Sequence, residues 1–83
     1  MGINIERERI LMKGYANKND VRIFLRVGSD HAKSIYDSLV REAEEEGKTI
    51  YLGIDPCRLL KFIHMTKNDV LKYAENEKKD AST

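Results

Sequence analysis

His31, His64 and the single Cys57 are the only imidazole and thiol side chains in this 83-residue sequence. Zinc sites take three or four ligands with paired spacing. Two histidines 33 residues apart and one cysteine do not make such a set, so no metal is expected. Cys57 follows Pro56 at an expected helix start, where a thiol pKa can fall. A lone cysteine there reads first as a small, partly buried filler. His64 reads as a turn residue. Glu42, Glu44, Glu45 and Glu46 offer carboxylates, but glutamates crowded on one helix form a solvated face rather than an acid–base pair. There is no phosphate-cradling glycine loop and no nucleophile motif. Tyr15, Tyr36, Tyr51 and Tyr73 are scattered and make no stacking platform for single strands. No cofactor is expected, and the chain is not expected to be an enzyme.

The chemistry that remains is hydrogen bonding and charge. Ser29, Asp30, His31, Lys33, Ser34 and Asp37 concentrate polar side chains suited to the edges of bases. Lys18, Arg22 and Arg26 precede them and Arg41 follows, with the charge suited to phosphates.

The hydrophobic pattern says which elements must hold these groups. Ala32, Ile35, Tyr36, Leu39, Val40 and Ala43 recur at i, i+3, i+4, i+7, i+8 and i+11, one continuous helical stripe. Gly47 is its expected stop and Ser29 its expected N-cap, with Gly28 allowing a positive φ in the break before it. An earlier helix runs from Lys18 to about Arg26. Asn17 and Asp20 form its capping box, and Val21, Phe24 and Leu25 its buried stripe. Arg22 and Arg26, four apart, make an exposed ridge on another face. A short helix from Asn4 to Lys13, capped by Asn4 and stopped by Gly14, precedes it.

After Gly47, Lys48-Thr49-Ile50-Tyr51-Leu52 is a short β-prone run, a candidate wing-like strand. Asp55-Pro56 opens an apolar helix holding Leu59, Leu60, Phe62 and Ile63, expected in the core. Thr66 and Asp69 repeat the capping logic, and Lys-Asn-Asp-Val occurs at both 18–21 and 67–70. The last helix carries Val70, Leu71, Tyr73 and Ala74 to about Lys78. The fold class is therefore all-α, with four to five short helices. Residues 1–14 read as an N-terminal arm or short helix, 15–78 as the domain, and 79–83 as a frayed tail.

Two helices joined by a three-residue turn with glycine make the helix-turn-helix arrangement, here from Lys18 to Gly47. The first helix crosses the DNA backbone, and the start of the second enters the major groove. The run Leu25-Arg26-Val27-Gly28-Ser29-Asp30-His31-Ala32-Lys33-Ser34-Ile35-Tyr36, with Leu39, resembles small excisionase-type and phage-type helix-turn-helix proteins. The later Glu46-Gly47-Lys48 and the run from Gly53 to Pro56 add to the likeness, which covers roughly residues 15–64. Arg26 stands where such proteins commonly have glycine, with Gly28 two places later. The resemblance implies an architectural DNA binder that helps a recombinase, or a small transcriptional regulator, without catalysis of its own. A second pair, residues 59–78 with the turn His64-Met65-Thr66, is a weaker candidate of the same kind. Its Lys67, Asn68, Lys72, Lys78 and Lys79 are the polar set there.

Composition sets the bounds. Of the side chains, 35% are charged, and 15 Lys and Arg against 14 Asp and Glu leave a net charge of +1. That near-neutrality hides segregation. Residues 1–26 carry net +3 and residues 48–83 net +2, while the four glutamates of 42–46 form one acidic block. There is no apolar run long enough to span a membrane and no signal-peptide core, and one cysteine fits a cytoplasmic protein. The expected partners are duplex DNA, a second copy in a homodimer or cooperative array, and an integrase or recombinase. The alternative is a protein-interaction module, binding a host factor or recombinase through its apolar third helix or its acidic helix end.

Overall fold

The computed structural model describes residues 2–81, and the chain is all-α. Helix α1 spans Ile3–Lys13, α2 Lys18–Leu25, α3 Ser29–Glu45, α4 Leu60–Ile63 and α5 Lys67–Ala81. A 3-10 turn, Pro56–Leu59, runs directly into α4. α1 packs along α5, and α2 along α3.

The boundaries have local causes. α1 stops where Gly14 takes φ 88°, as its sequence predicts. Its start differs. The helix begins at Ile3 with Gly2 as N-cap, so Asn4 lies inside it and no side chain of its own segment caps it. Glu77 of α5 does so instead. Its carboxylate accepts from the Ile5 amide at 3.0 Å, the Asn4 amide at 3.3 Å and Asn4 Nδ2 at 2.8 Å. An anion there satisfies orphan amides and complements the helix dipole.

The capping box of α2 is complete. The Asp20 amide donates to Asn17 Oδ1 at 2.9 Å, and the Asn17 amide to Asp20 Oδ2 at 3.1 Å. Asp20 is buried and also takes Lys13 Nζ at 2.6 Å. Thr66 and Asp69 repeat the reciprocal bonds at α5, at 3.1 and 3.0 Å.

The α2–α3 turn departs from the sequence reading at two residues. Arg26, not Gly28, enters the left-handed region, at φ 54° and ψ 50°. The reason is the bond that closes the helix. The Val27 amide reaches back to the Arg22 carbonyl at 3.2 Å, which requires the left-handed residue immediately after the last helical one. Gly28 is then extended at φ −68° and serves as the N-cap, and Ser29 is the first helical residue rather than the cap.

The α3 stripe is as its spacing predicts: Ala32, Leu39 and Ala43 are buried, and Ile35, Tyr36 and Val40 are half-buried against the core. Ile10, Val21, Phe24, Ile54, Leu59 and Val70 complete that core. Fully burying side chains of this size contributes about 1.5–3 kcal/mol each. Gly47 ends α3 at φ 85°.

Residues 48–52 form no strand, which corrects the wing-like expectation. A strand needs a partner ladder, and the only pairing among the described residues is a single antiparallel bridge at Ala16 and Ile54. Their amides and carbonyls exchange bonds of 2.8 and 2.9 Å. Gly53 sits so close behind this bridge that a Cβ would lie 2.4 Å from the Ala16 carbonyl oxygen. The segment is therefore a loop tied down at both ends, at Lys48 by a bond to the Ala43 carbonyl and at Ile54 by the bridge.

Two apolar expectations are also corrected. Phe62 is 44% exposed, because four residues of α4 bury only one side and Leu59 just before it fills the core. Tyr73 is 50% exposed at the edge of the α5 stripe. α5 continues past Lys78 to Ala81, so the helix takes in Lys79–Ala81 of the expected tail. The rest of that expected tail, residues 82–83, lies outside the described residues. No helix among the described residues is long and apolar enough to cross a membrane.

Candidate nucleic-acid interface

The first half of α3 meets water. Ser29, Asp30, His31, Lys33, Ser34 and Asp37 are all exposed, and none has a side-chain partner among the described residues. The buried stripe explains this placement: with Ala32, Leu39 and Ala43 facing inward, these positions fall on the opposite surface.

α2 and α3 frame a groove at this surface. Lys18, Asn19 and Arg22 line one wall, and Ser29, Asp30 and Lys33 the other. A second groove, on the far side of Lys18, joins it to Tyr36, Asp37, Arg41 and Lys48. Lys18 Nζ lies 6.0 Å from the Tyr36 ring centroid, at the outer range of a cation–π contact. Lys18 thus connects the two grooves. His31 and Ser34 line neither, and Arg26 stands apart at the C-terminal end of α2. Of the ten expected residues, seven line the two grooves and three do not.

The expected cations of this surface have no acid partners among the described residues. Lys18, Arg26, Lys33 and Arg41 have no carboxylate partner among the described residues, and Arg22 is held only by the Asn19 side-chain oxygen, at 3.0 and 3.3 Å. Elsewhere many cations are engaged, although Arg7 of α1 and Lys67 and Lys72 of α5 also have no acid partner among the described residues. Arg9 pairs with Glu6 at 2.6 Å, Lys61 with Glu42 at 3.4 Å and Lys78 with Glu8 at 2.5 Å. A lysine or arginine without an acid can meet a phosphate without giving up an existing pair.

Two of the four glutamates at the end of α3, Glu42 and Glu46, are paired from within the chain. Arg58 makes a fork on Glu46, with bonds of 2.9 and 3.0 Å, and reaches Glu42 at 3.1 Å. The Arg58 hydrogen bond holds the Glu46 carboxyl below its ordinary 4.5, and the same bond raises the guanidinium. Sequence spacing could not have shown this pairing, which bridges 12 residues across a loop. Arg7 was missed for the same reason. It comes from α1 to donate through Nε to the Phe24 carbonyl at 2.8 Å, beside Arg26.

The other candidate groups have plainer surroundings. Cys57 is exposed rather than a partly buried filler, because the 3-10 turn faces it outward. Its thiol is pushed up rather than down, by partial desolvation first and then by the Asp55 charge. Asp55 also occupies the Cys57 amide, at 2.9 Å. His64 is a turn residue, at φ 53°. Among the described residues no group of His, Cys, Asp or Glu could hold a metal ion. In the second helix pair, Lys67, Asn68 and Lys72 are exposed, but Lys78 is tied to Glu8 of α1. No family model, curated protein or solved structure matches the chain.

Proposed function

We propose that the chain binds duplex DNA through α3. The first half of the helix reads bases from the major groove, and Lys18, Arg22, Arg26 and Arg41 take phosphates. The observation that carries this reading is a cluster of five cations without acid partners, Lys18, Arg22, Arg26, Lys33 and Arg41, beside the exposed start of α3. Cations without acid partners sit on α2, its turn and α3, while Glu42 and Glu46 at the far end of α3 are clasped by Arg58 and Lys61. Ser29, Asp30, His31, Lys33, Ser34 and Asp37 are the base-reading set.

The role is that of a small DNA-binding protein of a phage or mobile element, either an excisionase-type architectural factor beside an integrase or recombinase or a transcriptional regulator. It is a cytoplasmic, non-catalytic role. A chain of 9.6 kDa covers little DNA alone, so a homodimer or a cooperative array is part of the proposal. Neutralising about four phosphates gives log–log salt dependence with a slope near −3.6. Titration of a labelled duplex pool at several salt concentrations tests this.

One observation favours a second reading, a protein-interaction module. Tyr51 is 88% exposed and Leu52 69%, side by side on the tethered loop. Tyrosine anchors are common at the centres of protein interfaces. Salt-insensitive capture of a recombinase, lost on Tyr51→Ser with Leu52→Ser, supports this reading over the first.

A further inference from the structure

An arginine of α1 reaches the C-terminal end of α2, two residues before Arg26. Arg7 arrives from α1. Its Nε donates to the Phe24 carbonyl, one of the orphan acceptors of that helix end, at 2.8 Å. Its guanidinium carbon lies 5.6 Å from the centroid of the Phe24 ring. That contact fixes the plane of the fork and uses one of five N–H groups. Arg26 lies two residues beyond Phe24, exposed and without a partner among the described residues. No carboxylate is within ion-pair distance of either guanidinium among those residues.

The arrangement opposes two simple physical preferences. Arg26 holds a left-handed conformation, φ 54°, that glycine adopts without steric conflict. It also sets a second positive charge near a partly buried first one. Burial and then the Arg26 charge both weaken the hold of Arg7 on its proton. Glu77 is the acid acting in the other direction, and its carboxylate is already committed to the Asn4 and Ile5 amides. A tetrahedral oxyanion would offset the repulsion and accept from both forks.

We propose that Arg7 and Arg26 form a phosphate-binding pair, with Arg7 as the fixed fork and Arg26 as the exposed one. The proposal rests on the DNA-binding reading for its main source of phosphate, the duplex backbone, and extends that interface to α1. Free inorganic phosphate offers the same chemistry.

The test uses the full chain, Arg26→Gly and Arg7→Lys, with two readouts. Thermal melting is compared in inorganic phosphate and in chloride of equal ionic strength. Duplex binding is followed by fluorescence anisotropy. Arg26→Gly is expected to melt higher than wild type in chloride, since both unfavourable features are removed, yet to bind duplex about 5- to 10-fold more weakly with a salt slope about 0.9 shallower. Arg7→Lys keeps the charge but loses the fork, and is also expected to bind more weakly. Phosphate protection of wild type that is lost in Arg26→Gly shows that the pair takes free phosphate. A loss of duplex affinity without such protection shows that the backbone alone supplies it. Unchanged duplex affinity in Arg26→Gly, with phosphate protection absent or equal to wild type, overturns the pair while leaving the DNA reading standing. A wild type that binds no duplex but loses phosphate protection on Arg26→Gly sinks the DNA reading and supports the pair.

Discussion

Arg58 and Glu46 form a two-bond fork, with Nη1 and Nη2 donating to the two carboxylate oxygens at 2.9 and 3.0 Å. The pair fastens the C-terminal turn of α3 to the 3-10 turn that leads into α4. Glutamates at a helix C-terminus oppose its dipole. Here Arg58 meets Glu42 and Glu46, and Lys33 near the start of α3 has no acid partner among the described residues.

The pair makes a pH prediction. The folded carboxyl of Glu46 lies below its ordinary 4.5. A depressed acid contributes stability that is full above the unfolded value and lost as pH falls through the folded one. Arg58→Met is therefore expected to lower the melting temperature at pH 6–7, and the gap to wild type should narrow as pH drops below 4.5. A gap that stays constant down to pH 3 would show that packing, not charge, is the source.

Glu77 caps the first turn of a helix through Asn4, 73 residues before it. Glu77→Ala leaves the Asn4 and Ile5 amides without this partner, and should cost about 1–2 kcal/mol. Glu77→Gln keeps an acceptor and should cost less. Urea denaturation of the three proteins checks the order. Equal stability of wild type and Glu77→Ala would mean that water replaces the cap fully.

Gly53→Ala should be among the most damaging single substitutions. The added Cβ meets backbone, the Ala16 carbonyl oxygen at 2.4 Å, rather than a side chain that can turn aside. The bridge to Ile54 must open or shift, at a cost of about 1–3 kcal/mol. Thermal melting reads the loss, and amide exchange at Ile54 reads its location.

Sequence patterning carried the helices well where the cause is local. The Asn17–Asp20 box, the repeated box at Thr66–Asp69, the glycine stops at Gly14 and Gly47 and the α3 stripe all depend on residues a few positions apart. The turn at Arg26 is not legible from residue types, because composition favours glycine in the left-handed region, while the Val27–Arg22 bond fixes the position by counting from the helix end. Residues 48–52 have β-prone side chains but no partner strand, and a single-residue bridge leaves no period to detect. The band of candidate residues on α2 and α3 was legible. Arg7, Arg58 and Glu77 were not, since each acts on a segment far away in sequence.

Substitutions across the proposed interface should separate by type. Lys18→Ala and Arg22→Ala should weaken binding to all duplexes and make the salt slope shallower by about 0.9 each. Lys33→Ala and Ser34→Ala should change which sequences a random pool yields, with about 1–3 kcal/mol of lost discrimination at a contacted base pair. Selection from that pool by each variant distinguishes the two patterns.

The most direct measurement is the affinity of the folded wild-type chain for a random-sequence duplex pool, by anisotropy, from low to physiological salt. The account predicts binding at low salt that falls along a log–log line of slope near −3.6, for about four neutralised phosphates. No binding at the lowest salt, with circular dichroism showing the helices intact, would contradict it.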